Sequence, residues 1–276
     1  MKNILQLIRL AFLCAIFSSC QKEFSIEVSG KPLTYDMDAQ RFIDSSGIID
    51  ITQKLAIVNF VKQMKDSSLW TKFLAVYPMV GGTPASAKWN LMDPRNLDVA
   101  YRLTFNGVPV FGATGLLFPT TSDYADTHLA DAILTYNDNS ISYYSRTQNT
   151  VSGYDIGCYD QYSPYNELAI YNTDDASNWF GYYNFGPAPA NTVGLFMLSS
   201  TESNVSRYEN GVLKNSSAVA PIPGSTGLSI LIGTVLYAPS VGMRECALVT
   251  IGSGLTPVQA QTFYNIAQNF QAALGR

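Results

Sequence analysis

His128 is the only histidine in the 276 residues and stands in Asp126-Thr127-His128-Leu129. Any serine or cysteine nucleophile would have to use it as its base, and a lone histidine beside a strand is more often a surface or structural residue. The sequence has no Gly-x-Ser-x-Gly elbow and no phosphate-binding loop ending in Gly-Lys-Ser/Thr. One histidine also excludes a multi-histidine metal centre. Six glutamates, at 23, 27, 167, 202, 209 and 245, and fifteen aspartates show no spacing that singles out an acid–base pair. Aromatic residues offer more. Tyr159, Tyr162 and Tyr165 surround a proline, and Asn178-Trp179-Phe180-Gly181-Tyr182-Tyr183-Asn184-Phe185 follows shortly after. Sugar rings stack their C–H faces on such rings while amide and carboxylate ends take the hydroxyls. Tyr159, Tyr162, Tyr165, Trp179 and Tyr182 are therefore the candidate ligand contacts. On a strand from Trp179 to Phe185, however, alternate side chains would simply fill a core.

The elements that must position these residues start after a targeting segment. Lys2 and Arg9 precede an apolar run, Leu10 to Phe17, that is too short to span a bilayer but fits a secretory signal. Phe17-Ser18-Ser19-Cys20 resembles a bacterial lipobox, in which the Cys20 thiol is acylated and becomes the new N-terminus. Gln21-Lys22-Glu23 resembles the export tag of Bacteroidetes-type surface lipoproteins. An ordinary signal peptide with Cys20 incidental is the other reading. Cys158 and Cys246 could then close one disulfide or remain two buried thiols.

Charged residues make up 14% of the chain, against roughly 25% in an ordinary soluble domain. With 17 tyrosines, 47% hydrophobic residues and a net charge of −4, the composition suits a β-rich extracytoplasmic domain and excludes a nucleic-acid partner. Residues 1–19 are read as signal, 20–47 as a tether, 48–99 as a helical extension and 100–276 as a β-sandwich. Ile51, Leu55, Val58, Val61 and Met64 predict one helix face, with Asp50 and Gln53 capping it. A shorter helical stretch is predicted over Leu69 to Val76. Short strands punctuated by turns follow from Tyr101, among them Ser140–Ser145, Tyr154–Tyr159, Glu167–Tyr171, Val193–Ser199, Val205–Glu209, Leu228–Gly233 and Cys246–Ile251. Asn210-Gly211 predicts a tight hairpin. Thr256, Pro257 and Gln259 predict the start of a closing helix whose apolar face is Ala260, Phe263, Ala267, Phe270 and Leu274.

Arg207-Tyr208-Glu209-Asn210-Gly211-Val212 resembles the aromatic-x-Asn-Gly hairpin of laminin G-like domains in the concanavalin A-like lectin/glucanase superfamily. Ser229-Ile230-Leu231-Ile232-Gly233 and Cys246-Ala247-Leu248-Val249-Thr250-Ile251-Gly252, running into Gly254-Leu255-Thr256 and a helix, resemble that family's later strands and ending. Upstream, Leu69-Trp70, Ala75-Val76-Tyr77-Pro78-Met79-Val80-Gly81-Gly82-Thr83 and Lys88-Trp89-Asn90-Leu91-Met92-Asp93-Pro94-Arg95 resemble a block of laminin G-like proteins from bacteriophages and Bacteroidetes. The resemblance implies an all-β, concanavalin A-like jelly-roll sandwich with an N-terminal helical segment and a C-terminal helix. It also implies carbohydrate binding, protein adhesion or glycan hydrolysis. Laminarinase-type hydrolases of this fold carry Glu-x-Asp-x-x-Glu on one strand, and no glutamate here has aspartate two positions later. Relatives often bind calcium through loop aspartates. Asp123, Asp126 and Asp131, in one loop-like stretch, are the candidate ligands, although aspartate favours turns without any metal.

The reading is a non-catalytic, lipid-anchored outer-membrane or cell-surface protein that recognises a carbohydrate or a glycosylated partner. The alternatives are a structural or adhesive protein of a virion or cell surface, making protein–protein contacts, and a hydrolase with an unrecognised carboxylate pair. Because the acyl chains would supply most of the membrane affinity, Cys20→Ser should move the protein from the membrane to the soluble fraction. Unchanged fractionation and unchanged mass would sink the lipoprotein reading.

Overall fold

The computed structural model describes residues 25–28, 31–34, 36–161, 166–172, 177–178, 183–184, 189, 191–202, 204–218 and 226–276. The chain divides into two units, residues 1–36 and 37–276. In the first, Ser25–Val28 (β1) pairs antiparallel with Lys31–Thr34 (β2). The second opens with helices Met37–Ser46 (α1) and Ile51–Asp66 (α2), strand Phe73–Tyr77 (β3) and the short helix Pro84–Ala87 (α3). Strands Thr104–Asn106 (β4), Val110–Phe111 (β5), Leu116–Leu117 (β6), Tyr124–Ala130 (β7), Asn139–Ser145 (β8), Gly153–Asp160 (β9) and Asn166–Asn172 (β10) follow. Then come Ser177–Asn178 (β11), Tyr183–Asn184 (β12), Gly194–Thr201 (β13), Asn204–Glu209 (β14), Val212–Ala218 (β15), Ser229–Ile232 (β16) and Cys246–Gly252 (β17), before the closing helix Pro257–Ala273 (α4). No helix among the described residues is long and apolar enough to cross a membrane.

Two antiparallel sheets form a sandwich. One runs β10-β9-β16-β7-β4; the other has eight strands in the order β15-β14-β13-β8-β17-β6-β5, with β3 also paired to β17. Alternation of side chains along each strand divides the core. Tyr143 on β8, Phe196 and Leu198 on β13, and Val249 and Ile251 on β17 face Leu129, Ile156, Leu168 and Ile232 of the smaller sheet. Their neighbours Tyr144, Leu195, Met197 and Leu248 face the other way and pack under α1, α2 and α4. Every residue of β8 and β17 is consequently buried. A register shift between Cys246 and Leu248 lets Ala247 and Leu248 both reach the helix side.

The caps form largely as their residues dictate. Asp50 accepts the Gln53 backbone N–H at 2.8 Å. The Gln53 side chain does not turn back, and accepts instead from Gly81 N at 2.9 Å. Thr256 and Gln259 make the reciprocal capping box, with Pro257 in the first turn of α4. The buried stripe of α2 is Ala56, Ile57, Phe60, Val61 and Met64, so the face is rotated from the expected one and Ile51 is exposed. Phe60, stacked 4.9 Å from Phe270 of α4, draws the helix round.

Three other segments differ from expectation. Leu69–Val76 is not a helix: Trp70–Lys72 forms a 3-10 turn, and Phe73–Tyr77 is drawn into the sheet by β17. The segment 48–99 thus contributes a sandwich strand, Phe73–Tyr77, as well as helices. Within the 20–47 tether, α1 buries Ala39, Phe42 and Ile43 in the helix-side core. Cys158 and Cys246 remain two buried thiols between the sheets, one of the two readings the sequence left open.

One buried ion pair ties the rim together. Arg244 Nε donates to both carboxylate oxygens of Asp155, at 2.9 and 3.0 Å. Its Nη atoms donate to the carbonyls of Asn149, Val151 and Gly153. A Cβ at Gly153 would lie 2.2 Å from the Val241 carbonyl carbon, so no larger residue fits there.

Phe270 is 2% exposed and Val258, on the same helix, is 76% exposed. Phe270→Ala should therefore destabilise by about 3–5 kcal/mol, whereas Val258→Ala should stay within about 0.5 kcal/mol. Equal urea midpoints for the two variants would show that α4 lies off the core.

Candidate binding face

The middle strands β8 and β17 of the eight-stranded sheet are covered on both sides, whereas the five-stranded sheet leaves part of its outer face open. That face is itself divided. At the β9–β10 side, Tyr154, Ala169 and Val235 are buried together, with Tyr159, Tyr171 and Ala238 packed against them. At the β7–β4 side it is open. Along β7, half-exposed Tyr124, Asp126, His128 and Ala130 alternate with buried Ala125, Thr127 and Leu129.

A bulge aims His128. Ala130 pairs with Ser229 and Asp126 with Leu231, so β7 spends four residues where β16 spends two. The surplus is held by local side-chain bonds of the kind Asp and Thr readily make. Asp126 Oδ1 accepts His128 N–H at 2.7 Å. Thr127 Oγ1 accepts Leu129 N–H at 3.1 Å and donates to the Ile230 carbonyl at 2.7 Å. The chain turns left-handed at His128, φ 55°, a conformation that costs about 1–3 kcal/mol for a non-glycine residue.

Around the imidazole stand groups from three segments. His128 Nε2 lies 2.7 Å from Thr104 Oγ1 on β4 and 3.6 Å from Asp98 Oδ1. Asp98 forms an ion pair with Arg102. Arg102 also donates from Nη1 to Asn96 at 3.3 Å, while its Nε is buried without a partner. Asp126 Oδ2 is 4.0 Å from His128 Nδ1, which is too long for the hydrogen bond by which a catalytic triad orients its histidine. The arrangement offers a ligand an imidazole, two carboxylates, a hydroxyl and a guanidinium on one face, beside the Tyr124 ring.

The expected sites are placed differently. Tyr159 is on β9 in the covered half of the face. Cys20, Tyr162, Tyr165, Trp179 and Tyr182 lie outside the described residues. Asp123, Asp126 and Asp131 do not share a loop: Asp126 is in a strand and the other two bracket it. At roughly 3.3 Å per residue the strand separates Asp123 from Asp131 by on the order of 20 Å. Asp123 accepts from Val108 N, Thr120 N and Thr120 Oγ1. Asp131 accepts from Thr226 N and Gly227 N. Among the described residues no three His, Cys, Asp or Glu side chains converge as metal ligands. Asp98, Arg102, Thr104 and Tyr124 were not anticipated; the one available signal was the alternation from Tyr124 to Ala130.

No family model matches the chain, and no curated protein matches it. Solved structures resemble it at a distance. Domain 4 of a GH43 extracellular arabinanase from Geobacillus stearothermophilus, in complex with arabinotriose, is 18% identical. That likeness covers 70% of this chain and 98% of that one, with a TM-score of 0.46. The binding domain of botulinum neurotoxin serotype G is 15% identical over 70% of this chain and 51% of its own, TM-score 0.43. Trypanosoma rangeli sialidase in complex with 2,3-difluorosialic acid is 13% identical over 78% and 39%, TM-score 0.42. The chain thus spans about half of the toxin domain and less of the sialidase. The sandwich assignment stands on the chain's own strand pairing.

Hydrogen bonding at the head of β7 gives a pH signature. The Thr120 hydroxyl, then the Val108 N–H, hold the Asp123 carboxyl below its ordinary value of 3.8. A depressed carboxyl contributes stability above its unfolded pKa, about 3.9, and loses it as pH falls through the lower folded value. Asp123→Asn should accordingly lower Tm at pH 6, and the gap from wild type should narrow below about pH 4. A gap that does not change with pH would contradict this account.

Proposed function

We propose that the protein is a non-catalytic domain that binds a carbohydrate, or the glycan of a glycosylated partner, on the open β4–β7 face. The observation that carries this reading is one sheet face on which Tyr124, Asp126 and His128 alternate at half exposure, with Asp98, Arg102 and Thr104 beside them. A sugar presents apolar C–H patches and paired hydroxyls. The tyrosine ring matches the first, and the carboxylates, guanidinium and imidazole match the second. Strands β4 and β7 hold Thr104, Tyr124, Asp126 and His128 more rigidly than a loop would, which limits the ordering entropy lost on binding. Catalysis is not part of the proposal, because the hydroxyl–imidazole–carboxylate series lacks the bond that orients the base. A lipid anchor at Cys20 would present this face outside the cell.

The test is a glycan array on the full-length protein, followed by calorimetric titration of the best ligand. Tyr124→Ala, Asp98→Ala and His128→Ala should each weaken binding by about fivefold or more, since one stacking or polar contact is worth on the order of 1 kcal/mol. Melting temperatures should shift by no more than about 4 °C. Absence of any glycan ligand, or variants that bind like the wild type, would overturn the assignment. Turnover of any bound oligosaccharide would overturn its non-catalytic part.

A further inference from the structure

A second cluster lies where the last turn of the chain meets the ends of β8 and β17, and the glycan-binding proposal makes no use of it. Arg146 follows β8 directly and its N–H donates to the Glu245 carbonyl at 2.9 Å. The Glu245 carboxylate is engaged by the Thr114 hydroxyl. Arg276 Nη2 reaches the same loop, donating to the carbonyls of Ala113 at 3.0 Å and Met79 at 2.8 Å. Arg146 and Arg276 are thus brought together through Ala113, Thr114 and Glu245. Burial, reinforced by the Arg146 charge, lowers the Arg276 pKa to about 10, which leaves that guanidinium charged at neutral pH.

Neither cation has a carboxylate partner among the described residues. Arg146 Nε, Arg276 Nε and Arg276 Nη1 are buried and bonded to nothing. Gln271, at the start of the same terminal turn, accepts the Arg276 backbone N–H at 2.9 Å. Its side chain is almost wholly buried, with both amide atoms unpartnered. Buried donors are nearly always satisfied, and two like charges brought close together favour an anion between them. Arg244, by contrast, uses all three of its guanidinium nitrogens.

We propose that Arg146 and Arg276 form a binding site for a small oxyanion or a carboxylate. Guanidinium forks match both geometries, and the shared chemistry is a planar or tetrahedral set of anionic oxygens. The Glu245 carboxylate beside the arginines limits the net charge, so the site should take a singly or doubly charged group at modest affinity.

Calorimetric titration of the full chain with inorganic phosphate, sulfate or glucuronate at constant ionic strength tests this. The wild type should bind with a millimolar or tighter dissociation constant. Preference for phosphate or sulfate would assign the site to a free oxyanion, and preference for glucuronate to a ligand carboxylate. Arg146→Gln should weaken binding at least tenfold and Arg276→Gln similarly. Glu245→Gln should tighten it by removing a like charge. Thermal melts distinguish binding from the general stabilisation that excluded salts give any protein. A phosphate-induced rise in Tm equal in wild type, Arg146→Gln and Arg276→Gln would overturn the proposal, as would the absence of a saturable heat in the wild type.

Discussion

Burial of the middle strands of the eight-stranded sheet on both faces is the constraint from which the rest of the molecule follows. The middle strands β8 and β17 expose nothing, so one flank needs a second sheet and the other needs helices. Their polar residues are small and paired: Ser142 bonds Thr250 across the strands at 2.6 Å, and Ser140 reaches the Ser253 carbonyl at 2.8 Å. This keeps hydroxyls in the core without stranding donors. Helices α1, α2 and α4 therefore belong to the core layer, and the half-exposed residues of β7 lie on the outer face of the smaller sheet.

The same accounting explains where charge is tolerated. Asp155 and Arg244 sit at 1% exposure, yet every nitrogen of the guanidinium is used. Such a pair adds little net stability over an apolar substitute. What it contributes is geometry: one side chain gathers the 149–153 segment and β9 against the loop before β17. The bulge at His128 works on a similar principle, with Asp126 and Thr127 capturing the N–H groups that an extra pair of strand residues leaves unpaired.

A left-handed histidine held by its own neighbours, facing two carboxylates, is a locally expensive arrangement. The covered tyrosines at the β9–β10 side present the opposite case. Tyr154 and Tyr171 meet edge-on with centroids 4.8 Å apart, and their rings serve the protein's own packing. An aromatic-rich composition thus has two outcomes on one sheet, decided by which half the 233–242 loop covers.

Periodicity and caps were enough to find β8, β9, β10, β13, β14, β16 and β17 within a residue or two, along with the Asn210-Gly211 hairpin (φ 52° and 76°) and α4. All depend on interactions within a few residues, where sequence spacing is distance. Leu69–Val76 was misread because a short apolar run carries no period of its own; pairing with β17, more than 170 positions away, makes Phe73–Tyr77 a strand. The α2 stripe turned for the same reason, since Phe60 meets Phe270 only in the folded chain. The candidate face shows the limit most clearly. Asp126, Thr127 and His128 announce a turn-like kink, which is local chemistry. Only the β4–β7 pairing brings Thr104 and Asp98 to the imidazole, across 24 and 30 positions that sequence spacing cannot measure.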